Sequence, residues 1–205
     1  MNVELARLDP ATDLRSAEIE RAVTQRLDLT GRDASGMRLR ESRLVDVTLD
    51  SVSMSNARFE DVVVTGGSWA NSRAAGASFR RVRLDGVRLT GAAIAESAIR
   101  DTRFVDCRAD LVSFRFAKFE RVQFERCRLD EADFYGATFD SAVFLNCDLT
   151  GALWAEATFV RSEMRGCELS RAGNPERLRG VRMPWPDVLN AAGVLAQAVG
   201  IEVID

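Results

Sequence analysis

The sequence predicts an all-β solenoid, a rod of stacked coils in which the chain turns a corner every five residues. Every fifth residue from Leu29 to Leu169 is apolar, 29 positions without exception. The position two residues earlier, from Leu27 to Cys167, holds Ala, Val, Ser, Thr, Cys or Gly in 26 of 29 cases. A period of five fits neither a helical turn nor the alternation of a flat strand. One large and one small inward side chain in five residues suit stacked turns that bury a common core.

The large inward position forms a central column rich in aromatic residues. Ten of the eleven Phe residues and two of the three Trp residues lie on it. No proline occurs between Pro10 and Pro175, as expected if backbone N–H groups bond between coils. The predicted aromatic column consists of Phe59, Trp69, Phe79, Phe104, Phe114, Phe119, Phe124, Phe134, Phe139, Phe144, Trp154 and Phe159.

The cysteines indicate how long one coil is. Cys107, Cys127, Cys147 and Cys167 recur at every fourth five-residue step, all in the small inward position. Four such steps per coil would stack them on one face as a buried thiol ladder, with a rod of seven to eight coils roughly 35 Å long. We interpret them as small core residues, because buried cysteine behaves as a small apolar side chain. The C-x-x-C spacing of a zinc site is missing, and no metal site is predicted.

Several five-residue stretches resemble the pentapeptide-repeat family. Ala132-Asp133-Phe134-Tyr135-Gly136 and Cys147-Asp148-Leu149-Thr150-Gly151 follow its A-(D/N)-(L/F)-x-x pattern. The resemblance covers most of the chain, from residue 27 to residue 170. It implies a right-handed quadrilateral parallel β-helix of about 7–8 coils. The layout is also similar to the quinolone-resistance members, which pair through a C-terminal helix.

The repeat frame divides the chain into three parts. Residues 1–11 are an N-terminal lead-in, residues 12–172 form the β-helix, and residues 173–205 form a C-terminal cap. The frame extends backwards through Leu14, Ile19 and Thr24, so residues 12–26 are interpreted as degenerate coils. A short helix over the open end is the alternative.

After residue 172 the sequence predicts a linker, a helix over about 187–199 and a short tail or strand. Proline and Asp187 favour a helix start near residue 184, and Gly200 favours its end. The candidate residues on one helical stripe are Val188, Leu189, Ala192, Leu195 and Val199. This short C-terminal α-helix either covers the exposed last coil or forms a dimer contact.

Composition disfavours most chemistry. The chain has no histidine and contains no phosphate-binding loop, dinucleotide fingerprint or nucleophile elbow in a plausible context. We therefore predict no enzyme, no catalytic residues and no cofactor. A net charge of −3, no secretory signal and no apolar span predict a cytoplasmic protein without direct nucleic-acid or membrane binding.

The resemblance implies DNA gyrase as one partner, since the best-known family members imitate duplex DNA. That imitation needs an acidic rod. Residues 26–173 instead carry 22 acidic and 22 basic residues. The face centred on Leu49, Trp69 and Leu89 sums to −3 and that centred on Phe59, Phe79 and Phe119 to +3. The predicted rod shape favours gyrase protection, whereas the balanced charge of the rod does not.

One face of the predicted rod is poor in charge. Phe116 is the one phenylalanine off the central column, and Tyr135 is the only tyrosine. With Leu153 and Ala95 they form a candidate interaction face; scattered surface apolar residues are the alternative. Leu111, Val143 and Leu145 are further apolar candidates on neighbouring faces. The sequence thus predicts a non-catalytic interaction scaffold that self-associates or binds another protein, with gyrase-dependent topoisomerase protection, in quinolone or antibiotic self-resistance, as the alternative.

Overall fold

The computed structural model describes residues 13–204, which form a parallel β-solenoid followed by short helices. The fold class predicted from the sequence is confirmed. The predicted lead-in, residues 1–11, lies outside the described residues, as do residues 12 and 205.

Sixteen strands of three residues each make up two faces of the rod. In chain order they are β1 (Glu18–Glu20), β2 (Val23–Gln25), β3 (Arg38–Arg40), β4 (Arg43–Val45), β5 (Arg58–Glu60), β6 (Val63–Thr65), β7 (Ser78–Arg80), β8 (Arg83–Asp85), β9 (Ala98–Arg100), β10 (Arg103–Val105), β11 (Lys118–Glu120), β12 (Gln123–Glu125), β13 (Thr138–Asp140), β14 (Val143–Leu145), β15 (Thr158–Val160) and β16 (Glu163–Arg165). The odd-numbered strands form one parallel sheet of eight strands and the even-numbered strands form the other. Each strand residue pairs with the residue 20 positions later in the chain, as Phe119 does with Phe139.

The other two faces are joined by single parallel bridges. Ser113, for example, bridges to Ala93 in the coil before it and to Asp133 in the coil after it. Each coil therefore has four sides.

A residue with a positive φ occupies every corner of the described coils. There are 24 such residues other than glycine, and all but Asn174 lie two positions after a central residue. Even Arg121 (φ 52°) adopts this conformation, which costs an L-residue free energy. Its N–H donates to the Asp140 carbonyl at 2.9 Å in the next coil. The ladder between coils, rather than the residue type, fixes the corner.

The central column is the core of the rod. All twelve aromatic side chains of the predicted column are buried. Rings one coil apart stack in parallel, as Phe134 does on Trp154 at a centroid distance of 4.5 Å. Rings on adjacent faces meet edge to face, as Phe114 and Phe119 do at 5.3 Å. These two arrangements are the favourable ones for aromatic pairs.

The first described coil belongs to the solenoid. Strands β1 and β2 pair in parallel with β3 and β4. Leu14 and Thr24 are buried in the frame predicted for them. Residues 18–20 and 23–25 are therefore strands, and the alternative of a helix there does not apply.

The C-terminal end differs from the single helix over about 187–199 that the sequence predicts. A 3-10 helix spans Pro175–Leu178, and two helices follow, α1 (Trp185–Asn190) and α2 (Ala192–Ala198). Helix α1 begins two residues early because Pro184 and Pro186 fit a first turn that needs no N–H donor. The chain departs from helical geometry at Ala191 (φ −90°, ψ 8°).

The break at Ala191 changes which side chains face the core. Ala191 and Val194 are buried, and Leu195 packs against the core together with buried Leu178. Of the predicted stripe, Val188 and Leu195 are half-buried, whereas Leu189, Ala192 and Val199 are exposed. Helix α2 thus covers the end of the rod with the face that carries Val194 and Leu195. Its other face leaves Ala192 exposed, as is Val199 at its end. Among residues 13–204, no helix is both long and apolar enough to span a bilayer.

Candidate interaction face

Four residues define the aromatic face: Ala95, Phe116, Tyr135 and Leu153. The Phe116 side chain is 50% exposed and that of Leu153 is 45% exposed, while Tyr135 and Ala95 are half-buried. The rings of Phe116 and Tyr135 meet edge to face with centroids 5.3 Å apart. The structure therefore brings Phe116 and Tyr135 into direct contact on adjacent coils.

Two residues that the sequence did not single out complete this arrangement. The Arg115 guanidinium carbon lies 4.5 Å from the centre of the Tyr135 ring. Its Nη1 donates to Asp133 Oδ2 at 3.0 Å. Asp133 Oδ1 also accepts from the backbone N–H of Tyr135 at 2.9 Å. Tyr135 thus contacts a cation with its ring and a carboxylate with its backbone N–H.

Glycines one coil further along make room for the exposed apolar side chains. A Cβ on Gly136 would lie 2.6 Å from Phe116 Cδ1, and one on Gly173 would lie 2.7 Å from Leu153 Cδ2. The sequence signal was present, because each glycine follows its large neighbour by exactly one coil of the repeat frame. Phe116 is held at φ 56°, a backbone conformation unusual for a large aromatic residue.

The three other apolar candidates do not join this face. Leu111 is 56% exposed at a neighbouring corner with φ 58°. Val143 and Leu145 are half-buried on strand β14, in the even-numbered sheet.

Another corner of the rod is occupied by ion pairs. Arg21 pairs with Glu41, Arg81 with Asp61, and Arg121 with Asp101, each across one coil. The hydrogen bond from Arg121 holds the pKa of the Asp101 carboxyl below its usual value. Charges there are largely neutralised by their neighbours, so the aromatic face differs from that corner in offering unpaired apolar surface.

Two family models match the sequence. The model for the pentapeptide repeat region matches residues 77–154, and that for pentapeptide repeats (8 copies) matches residues 57–94 and 142–172. Together the two span residues 57–172, more than half of the chain. The chain belongs to the pentapeptide-repeat family.

Solved structures of other pentapeptide-repeat proteins are similar to this one. Trypsin-treated QnrB1, a plasmid-mediated fluoroquinolone resistance protein, is 21% identical, with 97% of this chain and 96% of that chain covered and a TM-score of 0.49. HetL from Nostoc sp. strain PCC 7120, involved in heterocyst differentiation regulation, is 17% identical, with 83% and 90% covered and a TM-score of 0.35. No curated protein matches the sequence.

The thiol ladder of this pentapeptide-repeat protein lies inside the rod. Cys107, Cys127 and Cys147 are buried, and Cys167 is half-buried. The Cys127 thiol donates to the Phe104 carbonyl at 3.3 Å. Interaction with the Cys127 thiol and burial raise the pKa of Cys107. Within the described part of the chain, no cluster of three or more Cys, Asp or Glu could hold a metal ion.

We expect at most one thiol, that of Cys167, to react with Ellman's reagent in the native protein, and all four to react in denaturant. The thiolate is the reactive species, and burial disfavours it. Timed titration with and without guanidinium measures this. Fast native reaction of three or four thiols would contradict the buried ladder.

Proposed function

We propose that this pentapeptide-repeat protein is a non-catalytic interaction scaffold that binds another protein through the aromatic face and associates with itself through its C-terminal end. The observation that carries the first part is the contact of Phe116 with Tyr135 beside Arg115. Aromatic residues and arginine are the side chains that dominate binding energy in protein interfaces.

The second part is supported by where the apolar surface lies. Ten large hydrophobic residues are exposed among the described residues, and six belong to residues 185–204: Trp185, Leu189, Val199, Ile201, Val203 and Ile204. Apolar surface concentrated at one end of a molecule is typical of an association site.

A non-catalytic role is supported by the placement of the reactive groups. The thiols of Cys107, Cys127 and Cys147 are buried in the rod. Carboxylates such as Asp61 and Asp101 lie in ion pairs on the outer corner. Neither set is arranged as a nucleophile with a base beside it.

DNA gyrase is the specific partner that the family resemblance implies. Imitation of duplex DNA requires an acidic surface, and the paired charges of this rod do not supply one. A gyrase supercoiling assay with and without a quinolone tests this alternative. No effect at micromolar protein would count against it.

We expect Phe116→Asn combined with Tyr135→Ala to weaken partner binding at least ~30-fold, because both residues fill the centre of the aromatic face. Asparagine occupies other corners of this rod with positive φ, as Asn56 and Asn146 do, so folding is preserved. Tagged protein is used to capture partners from the native host, and the affinity for the recovered partner is then measured with purified proteins.

Leu111→Asn is the matched control, since Leu111 is equally exposed and has the same corner conformation. It should bind like the unaltered protein. Equal affinity of the control and the double variant would show that the aromatic face is not the binding surface.

A further inference from the structure

A cleft of about 1140 Å³ lies between the last coil and the C-terminal helices. Phe159 of β15 lines one side, and Leu178, Val188, Leu195 and Val199 line the others. The cleft forms because the chain does not complete another coil. Strand β16 still bonds to Arg182 at its outer edge, whereas within residues 13–204 no backbone hydrogen bond joins β15 to residues 175–180. The two sheets therefore end differently, and the end at β15 is closed less tightly.

The rim of this cleft carries three arginines and one glutamate. Arg177, Arg179, Arg182 and Glu176 are its charged lining residues. Arg177 pairs with Glu156 at 2.7 Å, and Arg182 pairs with Glu163 at 3.3 Å. Arg179 is exposed and makes no ion pair with another residue of the described range 13–204. An apolar cleft with one unpaired cation on its rim suits an apolar segment that carries a carboxylate.

The chain itself contains such a segment. The tail after α2 reads Ile201-Glu202-Val203-Ile204, and its three apolar side chains are 57%, 64% and 83% exposed. Gly200 (φ 79°) ends the helix, and the Ile201 N–H donates to the Ala196 carbonyl at 2.9 Å. Glu202 is exposed and forms no ion pair with the described residues. In a single copy this tail does not occupy the cleft.

We propose that the tail, residues 201–204, of one copy inserts into the cleft of a second copy, with Glu202 of one copy against Arg179 of the other. This rests on the self-association proposed above and specifies that it proceeds by exchange of tails rather than by packing of helix on helix. In two copies related by a twofold axis, both clefts would be filled. Glu202 of each copy would then pair with Arg179 of the other. Insertion removes the three apolar side chains of each tail from water.

The test is a charge exchange in the full chain. Glu202→Arg and Arg179→Glu each place like charges together at both contacts of the dimer, so each should raise the dimer dissociation constant at least ~tenfold. The two changes combined in one chain restore opposite charges and should return dimerisation close to that of the unaltered protein. Light scattering after size exclusion, over a range of concentrations, measures the dissociation constant.

Matched controls make the same charge changes away from the cleft. Glu131→Arg and Arg171→Glu are suitable because both sites are exposed corners of one column, in which glutamate and arginine each occur naturally. Both controls should dimerise normally. Ile204→Asp, which places a charge in the apolar part of the contact, should abolish the dimer without changing the melting temperature of the rod.

The outcomes separate the two levels of the proposal. A dimer that no tail or cleft variant weakens would overturn tail exchange and leave self-association standing. A combined variant no better than either single variant would also overturn it. A chain that stays monomeric at every concentration would overturn self-association itself. This result would also be obtained if the tail of each copy folded into the cleft of the same copy.

Discussion

Phe119→Asp is expected to unfold several coils of the rod. The Phe119 ring in β11 is buried and stacks on Phe139 with centroids 4.6 Å apart and planes 3° from parallel. It also meets Phe114 and Phe124 edge to face. Loss of a buried phenylalanine costs about 3–5 kcal/mol. A carboxylate without a partner at the axis adds a further desolvation cost, and the sum approaches the whole stability of a typical domain, about 5–15 kcal/mol.

Circular dichroism and urea denaturation measure the loss of folded structure. Two further variants serve as controls. Phe119→Leu keeps an apolar side chain and should remain folded with reduced stability. Arg121→Ala changes an exposed corner residue two positions away and should denature like the unaltered protein, because exposed ion pairs contribute little. A Phe119→Asp protein that denatures like Arg121→Ala would show that the five-residue frame does not describe the core.

The central column could be predicted because burial acts on every coil in the same way. Each coil repeats after four five-residue steps, so spacing alone places Phe114 below Phe134 and Phe134 below Trp154. The same spacing stacks Cys107, Cys127, Cys147 and Cys167. A periodic core needs no knowledge of side-chain conformation.

The corners could be located but not described. Glycine, asparagine and aspartate recur at the corner position, where tight turns favour them, yet Arg121, Leu111 and Phe116 adopt the same positive φ. Residue preference cannot predict this, because the ladder between coils provides the free energy that holds these residues in place. The C-terminal helix was predicted in the right region, but the break at Ala191 depends on packing against the last coil.

The candidate interaction face shows a similar division. Phe116 and Tyr135 were found because they depart from the frame, which is visible in the sequence. The contact of Arg115 with the Tyr135 ring depends on side-chain directions, which the repeat frame does not determine. The space that Gly136 leaves for Phe116 could have been found by comparing residues one coil apart.

Gly67→Ala is expected to destabilise the rod by about 3 kcal/mol or more, although the frame suggests that it should be harmless. Gly67 occupies the small inward column in which Val47 and Val87 stand one coil before and after it. Its backbone, however, has φ 83°, a conformation that L side chains rarely adopt. A Cβ there would lie 2.3 Å from the Val47 carbonyl oxygen and 2.7 Å from the Val47 nitrogen. The Val47 carbonyl accepts the Ser68 N–H at 3.2 Å in the ladder between coils, so moving it would weaken that hydrogen bond, and strain and lost pairing add.

Gly86→Ala separates the clash from the conformational cost. Gly86 also has a positive φ, 65°, but a Cβ there would meet nothing within 4 Å. Aspartate and arginine hold the same corner position at Asp106 and Arg126, so alanine at 86 should cost about 1 kcal/mol or less. Urea denaturation of the two variants gives the difference directly. If Gly67→Ala were no less stable than Gly86→Ala, the prediction would be contradicted. The backbone at residue 67 would then have to change from its positive φ to the conformation of Val47 and Val87 when alanine replaces glycine.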